Sequence, residues 1–267
     1  MPYVQLKGAN LYYEDEGHGE ETIVFSHSLL FSLRMFDGLV NHLKDKYRCV
    51  SFDFRGQGKS EITRNGYDMD TLTGDAAELI QKLKCSPCHF LGFSMGGFVG
   101  MRLAIRHAEL LKSLILVSTS SEPEALFSRL KFNLLALVGQ SLGLQVVLNQ
   151  VMPTMFGQSF LKDPHRKELK QAWENYFLAN DRKGVAKAVK GVANREGVTN
   201  SLFSICLPTL IIAGEKDIAT TPEKSGIMHD AIKGSLLKII PRSGHMSPVE
   251  EPHIVNENLD SFLGGIK

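Results

Sequence analysis

The sequence predicts an α/β fold: a mostly parallel sheet of about eight strands with helices on both faces and an inserted helical segment. Two observations predict it. Short apolar runs alternate with helix-period stretches through the first half of the chain, and from Glu122 to about Asn200 only helical periodicity is left before the alternation resumes. A third observation bears on function. The stretch Gly92-Phe93-Ser94-Met95-Gly96-Gly97 sets a lone serine between glycines where a strand should turn into a helix.

The opening "YVQLKG" and "LYYEDEG" alternate and read as a hairpin around Gly8-Ala9-Asn10. "TIVFSH" follows as a continuous apolar strand, then a helix from about Leu33 to Lys44. "YRCVSFDF" is a strand ending in the turn-rich "RGQGKS", and a helix from about Asp70 to Lys84 leads into the strand "CHFLGF". After "SMGG" a helix runs to about His107, and "KSLILVST" is the next strand. Beyond the helical block come the strand "PTLIIAGEKD", a helix from about Pro222, the strand "SLLKII", the loop "PRSGHMSP" and a last helix. A helical block of this kind, about 122–200, is expected to be a lid over the carboxyl ends of the strands, where open sheets bind ligands. With no internal repeat or low-complexity linker, residues 1–267 read as one domain.

Composition narrows the function classes. With 43% hydrophobic and 22% charged residues the chain is an ordinary globular protein. Thirty Lys and Arg against 29 Asp and Glu leave a formal net charge of +1, so whole-chain charge gives no case for nucleic acid or an anionic membrane. The N-terminus carries no apolar signal-peptide core, and no run approaches the roughly 18 apolar residues of a membrane span. The expectation is a cytoplasmic protein acting on a small molecule. Cysteines 49, 85, 88 and 206 are too few for a disulfide framework. Cys85 and Cys88 form a C-x-x-C between a helix and a strand, away from a helix start and without a second pair to complete a zinc site, so they read as ordinary loop and strand residues. No metal or cofactor is expected.

Gly92-x-Ser94-x-Gly96 has the spacing of a nucleophile elbow, with the required strand before it and helix after it. The turn is so tight that the serine takes strained angles, and glycines two residues to either side of it avoid steric clash. A serine hydroxyl needs a base to take its proton. His245 lies in the loop after the last strand, beside a glycine and before the final helix. The acid that orients it is expected at Asp217, just past the preceding strand, with Glu215 and Glu122 as rivals. One amide of an oxyanion hole should come from Met95, directly after the nucleophile.

These residues resemble the α/β-hydrolases of the lidded, single-domain type over essentially the whole chain. "SFDFRGQGKS" is similar to the family's D-x-R-G-x-G-x-S loop, which implies structural roles for Asp53, Arg55, Gly56, Gly58 and Ser60. "FSHSLLFSLRMFD" resembles the N-S-L-G-T-D-L-R-M-W-D segment of 3-oxoadipate enol-lactonases, with His27 in place of their Asn and Leu30 in place of their Gly. By position the amide of Leu29 is the second oxyanion donor, with Ser28 next, and His27 is expected to be a hydrogen-bonded framework residue. The resemblance implies a hydrolase of carboxylic esters or lactones, of the enol-lactone or acyl-homoserine lactone type. A cofactor-free haloperoxidase or perhydrolase would share the triad, and a non-catalytic ligand receptor would share the scaffold. Serine at the elbow argues against the dehalogenases and epoxide hydrolases, which use aspartate there.

The helical block contains Phe127, Leu130, Leu134, Leu137, Met152, Met155, Phe156, Trp173 and Phe177. Most are expected to face the sheet or one another. The break "VMPTMFG", with Met155 and Phe156, is expected to line the pocket. That pocket should be mainly apolar with no fixed cation, and Arg34 is the one nearby basic residue proposed as a substrate carboxylate anchor.

Overall fold

The computed structural model describes residues 2–266. Among these residues eight strands form one sheet: β1 (Tyr3–Gln5), β2 (Asn10–Glu16), β3 (Thr22–Ser26), β4 (Arg48–Phe52), β5 (Cys88–Phe93), β6 (Leu111–Val117), β7 (Thr209–Gly214) and β8 (Leu236–Ile240). Their spatial order is β1-β2-β4-β3-β5-β6-β7-β8. β1 pairs antiparallel with β2 and β2 with β4, and every later pairing is parallel. β3, β5 and β7 are buried along their whole length. Covered on both faces, they have no solvent side to alternate towards, hence the continuous apolar runs.

The described residues form eleven α-helices: α1 (Asp37–Leu43), α2 (Met69–Lys82), α3 (Met95–Arg106), α4 (Leu126–Leu142), α5 (Leu148–Met155), α6 (Gln158–Leu161), α7 (Lys167–Leu178), α8 (Arg182–Ala193), α9 (Pro222–Ala231), α10 (Ser247–Glu250) and α11 (Pro252–Gly264). Asp68 caps α2, accepting from the Thr71 amide at 2.8 Å, so this helix starts just ahead of the expected Asp70. α2, α3 and α9 bury their apolar sides in one core cluster, while α1 and α11 contribute to the other. Among the described residues no helix is long and apolar enough to cross a membrane.

Helices α4 to α8 lie between β6 and β7 and occupy the expected insertion. Their second half is anchored by glycine. A side chain at Gly184 would run into the Gly56 carbonyl oxygen, and one at Gly191 into that of Tyr67, so α8 rests backbone-to-backbone on the loop that follows β4.

The apolar residues of the insertion divide differently from the expectation. Met152, Met155, Phe156, Trp173 and Phe177 are buried, but Phe127, Leu130, Leu134 and Leu137 are 81, 60, 61 and 60% exposed. They recur three and four residues apart, which puts all four on one side of α4, turned to solvent.

Candidate active site

The loops at the carboxyl ends of β3, β5, β7 and β8 converge on a cavity of about 350 Å³ lined by Leu29, Ser94, Met95 and His245. Ser94 stands at φ 51°, ψ −108°, a conformation hostile to any side chain. Its amide donates to the Val117 carbonyl at 2.8 Å, and its carbonyl accepts from Thr119 Oγ1 at 2.8 Å, so two neighbouring bonds hold the strained turn. Gly96 is required by contact: a side chain there would strike the Ser26 carbonyl oxygen.

His245 Nδ1–H donates to Asp217 Oδ2 at 2.8 Å, and both side chains are almost wholly buried. Asp217 Oδ1 accepts from the amides of Ala219 and Thr220 at 2.8 and 2.9 Å, and Oδ2 also accepts from Thr220 Oγ1 at 2.9 Å. Burial acts to raise the Asp217 carboxyl, but the adjacent imidazole and the Thr220 donors outweigh it and hold the group below the usual carboxylate range. The rival acids lie elsewhere. Glu215 Oε2 accepts from the Arg242 amide and Glu215 faces Lys216, while the Glu122 amide is bound to Ser120 Oγ. The Ser94 hydroxyl is not hydrogen-bonded to His245 among the described residues; such bonds often tighten only when substrate arrives.

Hydrogen bonding separates the amides of the loop after β3. The Ser28 amide donates to Met35 Sδ at 3.3 Å and the Leu30 amide to Gln57 Oε1 at 2.8 Å. The Leu29 amide between them, and the Met95 amide at the head of α3, have no acceptor among the described residues, and both residues line the cavity. Leu30 holds φ +74°, the left-handed conformation for which glycine is usually chosen. Gln57 has no signal in the sequence, because it fills an unspecified position of the D-x-R-G-x-G-x-S pattern.

The rest of that loop is structural. Asp53 Oδ1 and Oδ2 accept from the Leu33 and Lys59 amides at 2.7 and 2.8 Å, Ser60 Oγ donates to the Asp53 carbonyl at 2.6 Å, and Arg55 forms a bidentate pair with buried Asp75 at 2.6 and 2.8 Å. His27 joins this loop to the oxyanion loop. Its Nδ1–H donates to the Ser28 carbonyl at 2.6 Å and its Nε2 accepts from the Phe54 amide at 2.9 Å, an arrangement only the neutral ring can make.

Burial pushes the His27 imidazole down to about 4 from 6.5. The unfolded chain therefore takes up this proton first as pH falls. The contribution to stability, roughly 3 kcal/mol, is complete above the unfolded value and is lost by the folded one. Asp53, 3.9 Å away, is pushed up to about 6 by burial and runs in the opposite sense. The wild-type curve alone therefore mixes the two. Urea unfolding of wild type and His27→Asn across that pH range should show the wild type's advantage shrinking by roughly 3 kcal/mol in acid. A constant difference would mean that His27 titrates as a free imidazole.

Sequence reasoning also missed Glu250. Its Oε2 accepts from the amides of Gly157 and Gly244 at 3.0 Å and its Oε1 from that of Met246 at 3.2 Å, while Met246 also donates to the Met155 carbonyl at 3.0 Å. The His245 loop is thus fastened to the insertion at the "MFG" break. A buried glutamate six residues past a glycine has no sequence signature.

Three expectations about the pocket need correction. Met155 lines it, but Phe156 does not: it is buried and stacked on Phe160, ring centres 4.7 Å apart, because adjacent residues at the end of α5 point to different sides. Arg34 does not line it either, being paired with Glu14 on β2 and with Asp37. Nor is the cavity free of cations, since Lys131, Lys224 and the buried Arg195 line it. Arg195 donates to Glu124 at 2.8 Å and lies 4.1 Å over the Phe98 ring. It also borders a larger polar groove of about 700 Å³, lined by Arg64, Arg102, Arg106 and Lys190, which contains neither Ser94 nor His245. The C-x-x-C cysteines are buried free thiols, both pushed up by burial, Cys85 to about 11.

A sequence profile for the alpha/beta hydrolase fold matches residues 21–252. The chain is 28% identical to 3-oxoadipate enol-lactonase 2 of Acinetobacter baylyi, over 90% of this chain and 88% of that one. Among solved structures, the enol-lactonase of Burkholderia xenovorans superposes with a TM-score of 0.92 at 27% identity, covering 98% of this chain and all (100%) of that one. A thermophilic esterase from Thermogutta terrifontis superposes with a TM-score of 0.92 at 25% identity, covering 99% and 98%.

Proposed function

The chain belongs to the alpha/beta hydrolase family, and from that premise we propose that it hydrolyses carboxylic esters or lactones through an acyl-enzyme. The observation that carries this reading is the buried Asp217–His245 pair, 2.8 Å apart, whose His245 lines one cavity with a strained Ser94 and with Leu29 and Met95, whose amides have no acceptor among the described residues.

Ser94 Oγ attacks the carbonyl carbon while His245 Nε2 takes its proton. Asp217 keeps the imidazole in the tautomer that leaves Nε2 free, and stabilises the imidazolium. Negative charge on the tetrahedral oxygen falls between the amides of Leu29 and Met95. The imidazolium then protonates the departing alkoxide, which in a lactone remains attached as the opened chain. Water attacks the acyl-serine in the second half, and the same base takes its proton. The enol-lactonase relatives and the esterase neighbour support this substrate class. Turnover of 4-nitrophenyl butyrate, an enol-lactone and an acyl-homoserine lactone, each against Ser94→Ala, tests it. Ligand binding without turnover would leave a receptor.

In this reading the inserted helices are a lid whose inner wall sets acyl-chain preference. Each methylene taken from water is worth about 0.8 kcal/mol, or roughly fourfold in affinity, so kcat/KM on a 4-nitrophenyl ester series should climb with acyl length until the cavity fills. Met155→Ala should move that optimum to longer chains. Phe156→Ala should instead lower stability by about 3–5 kcal/mol, because it empties an aromatic stack behind the wall. Chain-length profiles indifferent to Met155 would put specificity in the head group.

A further inference from the structure

Helix α4 roofs the catalytic cavity and is apolar on two sides. Phe132, Leu135 and Ala136 line the cavity. Phe127, Leu130, Leu134 and Leu137 form the exposed stripe described above, and Leu142 at the end of α4 and Val146 just beyond it are also exposed, at 69 and 51%. A helix apolar all round is ordinarily buried, and a large exposed apolar patch marks an interaction surface.

Charge identifies what fits the patch. From Ala125 to Lys162 the sequence contains no Asp or Glu, and Arg129 and Lys131 accompany the stripe. α8, which packs against α4, has no carboxylate; Arg182 and Lys183 stand in its first turn, while Lys187 donates to the Thr63 carbonyl and Lys190 borders the polar groove. The Arg182 guanidinium lies close to Gly143, at the C-terminal end of α4. Two of the nearby acids are already engaged, Glu124 with Arg195 and Asp181 with the amides of Lys183 and Gly184. The whole-chain charge of +1 conceals this segregation. A second copy docked stripe to stripe would bring like charges together, with no carboxylate in either helix to pair them.

We propose that the outer face of α4 docks on an anionic lipid–water surface. The stripe enters the interface while the surrounding cations meet the headgroups. Docking itself does not depend on the hydrolytic reading. Together with that reading, it sets the mouth of the Ser94 cavity beside the phase in which apolar esters partition.

Flotation of the full chain with lipid vesicles tests the proposal. Wild type should float with vesicles of phosphatidylcholine and phosphatidylglycerol, and bind those of phosphatidylcholine alone at least about tenfold more weakly, since each cation near an anionic leaflet is worth roughly fivefold. High salt should reduce the difference. The pair Leu130→Ser and Leu134→Ser lies outside the cavity wall. It should weaken flotation by about tenfold or more while leaving the melting midpoint and vesicle-free 4-nitrophenyl acetate turnover near wild type. Wild type that fails to float with anionic vesicles overturns the proposal, as does flotation unaffected by the paired substitution. Concentration-dependent dimerisation in sedimentation, abolished by the same pair and without flotation, would assign the stripe to a second copy.

Discussion

Ser94→Ala is expected to lower ester turnover by on the order of 10⁴-fold or more, with the fold intact. Alanine keeps the Cβ, so the backbone at φ 51°, ψ −108° is neither relieved nor strained further, and the elbow's supporting bonds run through the Ser94 main chain. Ser94→Gly should be equally inactive yet more stable by about 1 kcal/mol, the strain released less the added flexibility of the unfolded chain. Kinetics on 4-nitrophenyl butyrate and urea unfolding of both variants would check this. Near-wild-type turnover in Ser94→Ala would remove the serine from the chemistry. A Ser94→Gly variant less stable than wild type would mean that the hydroxyl supports the fold.

The second large effect is expected at Asp217. Asp217→Asn should leave KM nearly unchanged and cut kcat by up to about 10⁴-fold. The side-chain oxygen of an asparagine would keep the Ala219 and Thr220 amides, now held at 2.8 and 2.9 Å. Its NH₂ would then face His245 Nδ1 and demand an acceptor there. That forces the proton onto Nε2, the nitrogen that must receive the serine's. A small loss, with Glu122→Gln the damaging change instead, would move the acid to the loop after β6.

The parts of this molecule legible in its sequence are those where a local rule is enforced by a distant contact. β3, β5 and β7 read as apolar runs because both their faces are covered. The elbow glycines read clearly because Gly96 has no room beside the Ser26 carbonyl, whatever the rest of the chain does. Arg34 misled because it stands close in sequence to the oxyanion loop, whereas its partner Glu14 lies on β2. Arg195 was invisible for the converse reason: nothing around it in "VANREGV" refers to a cavity built from β5 and β8 loops. The α4 stripe reads as core because periodicity reports an apolar side and says nothing about what covers it.

The backbone contact of α8 with the loop after β4 bears on how this scaffold can be recombined. Gly184 and Gly191 are fitted to the carbonyls of Gly56 and Tyr67, and the Gly56 loop also supplies Gln57, which holds the Leu30 amide. A chimera that imports another enzyme's roof should therefore be spliced ahead of Arg182, so that α8 remains with its native seat. A junction placed after Ala193 would substitute a helix with side chains at those two positions, lift the loop, and shift the Leu29–Leu30 backbone that the transplant never touched.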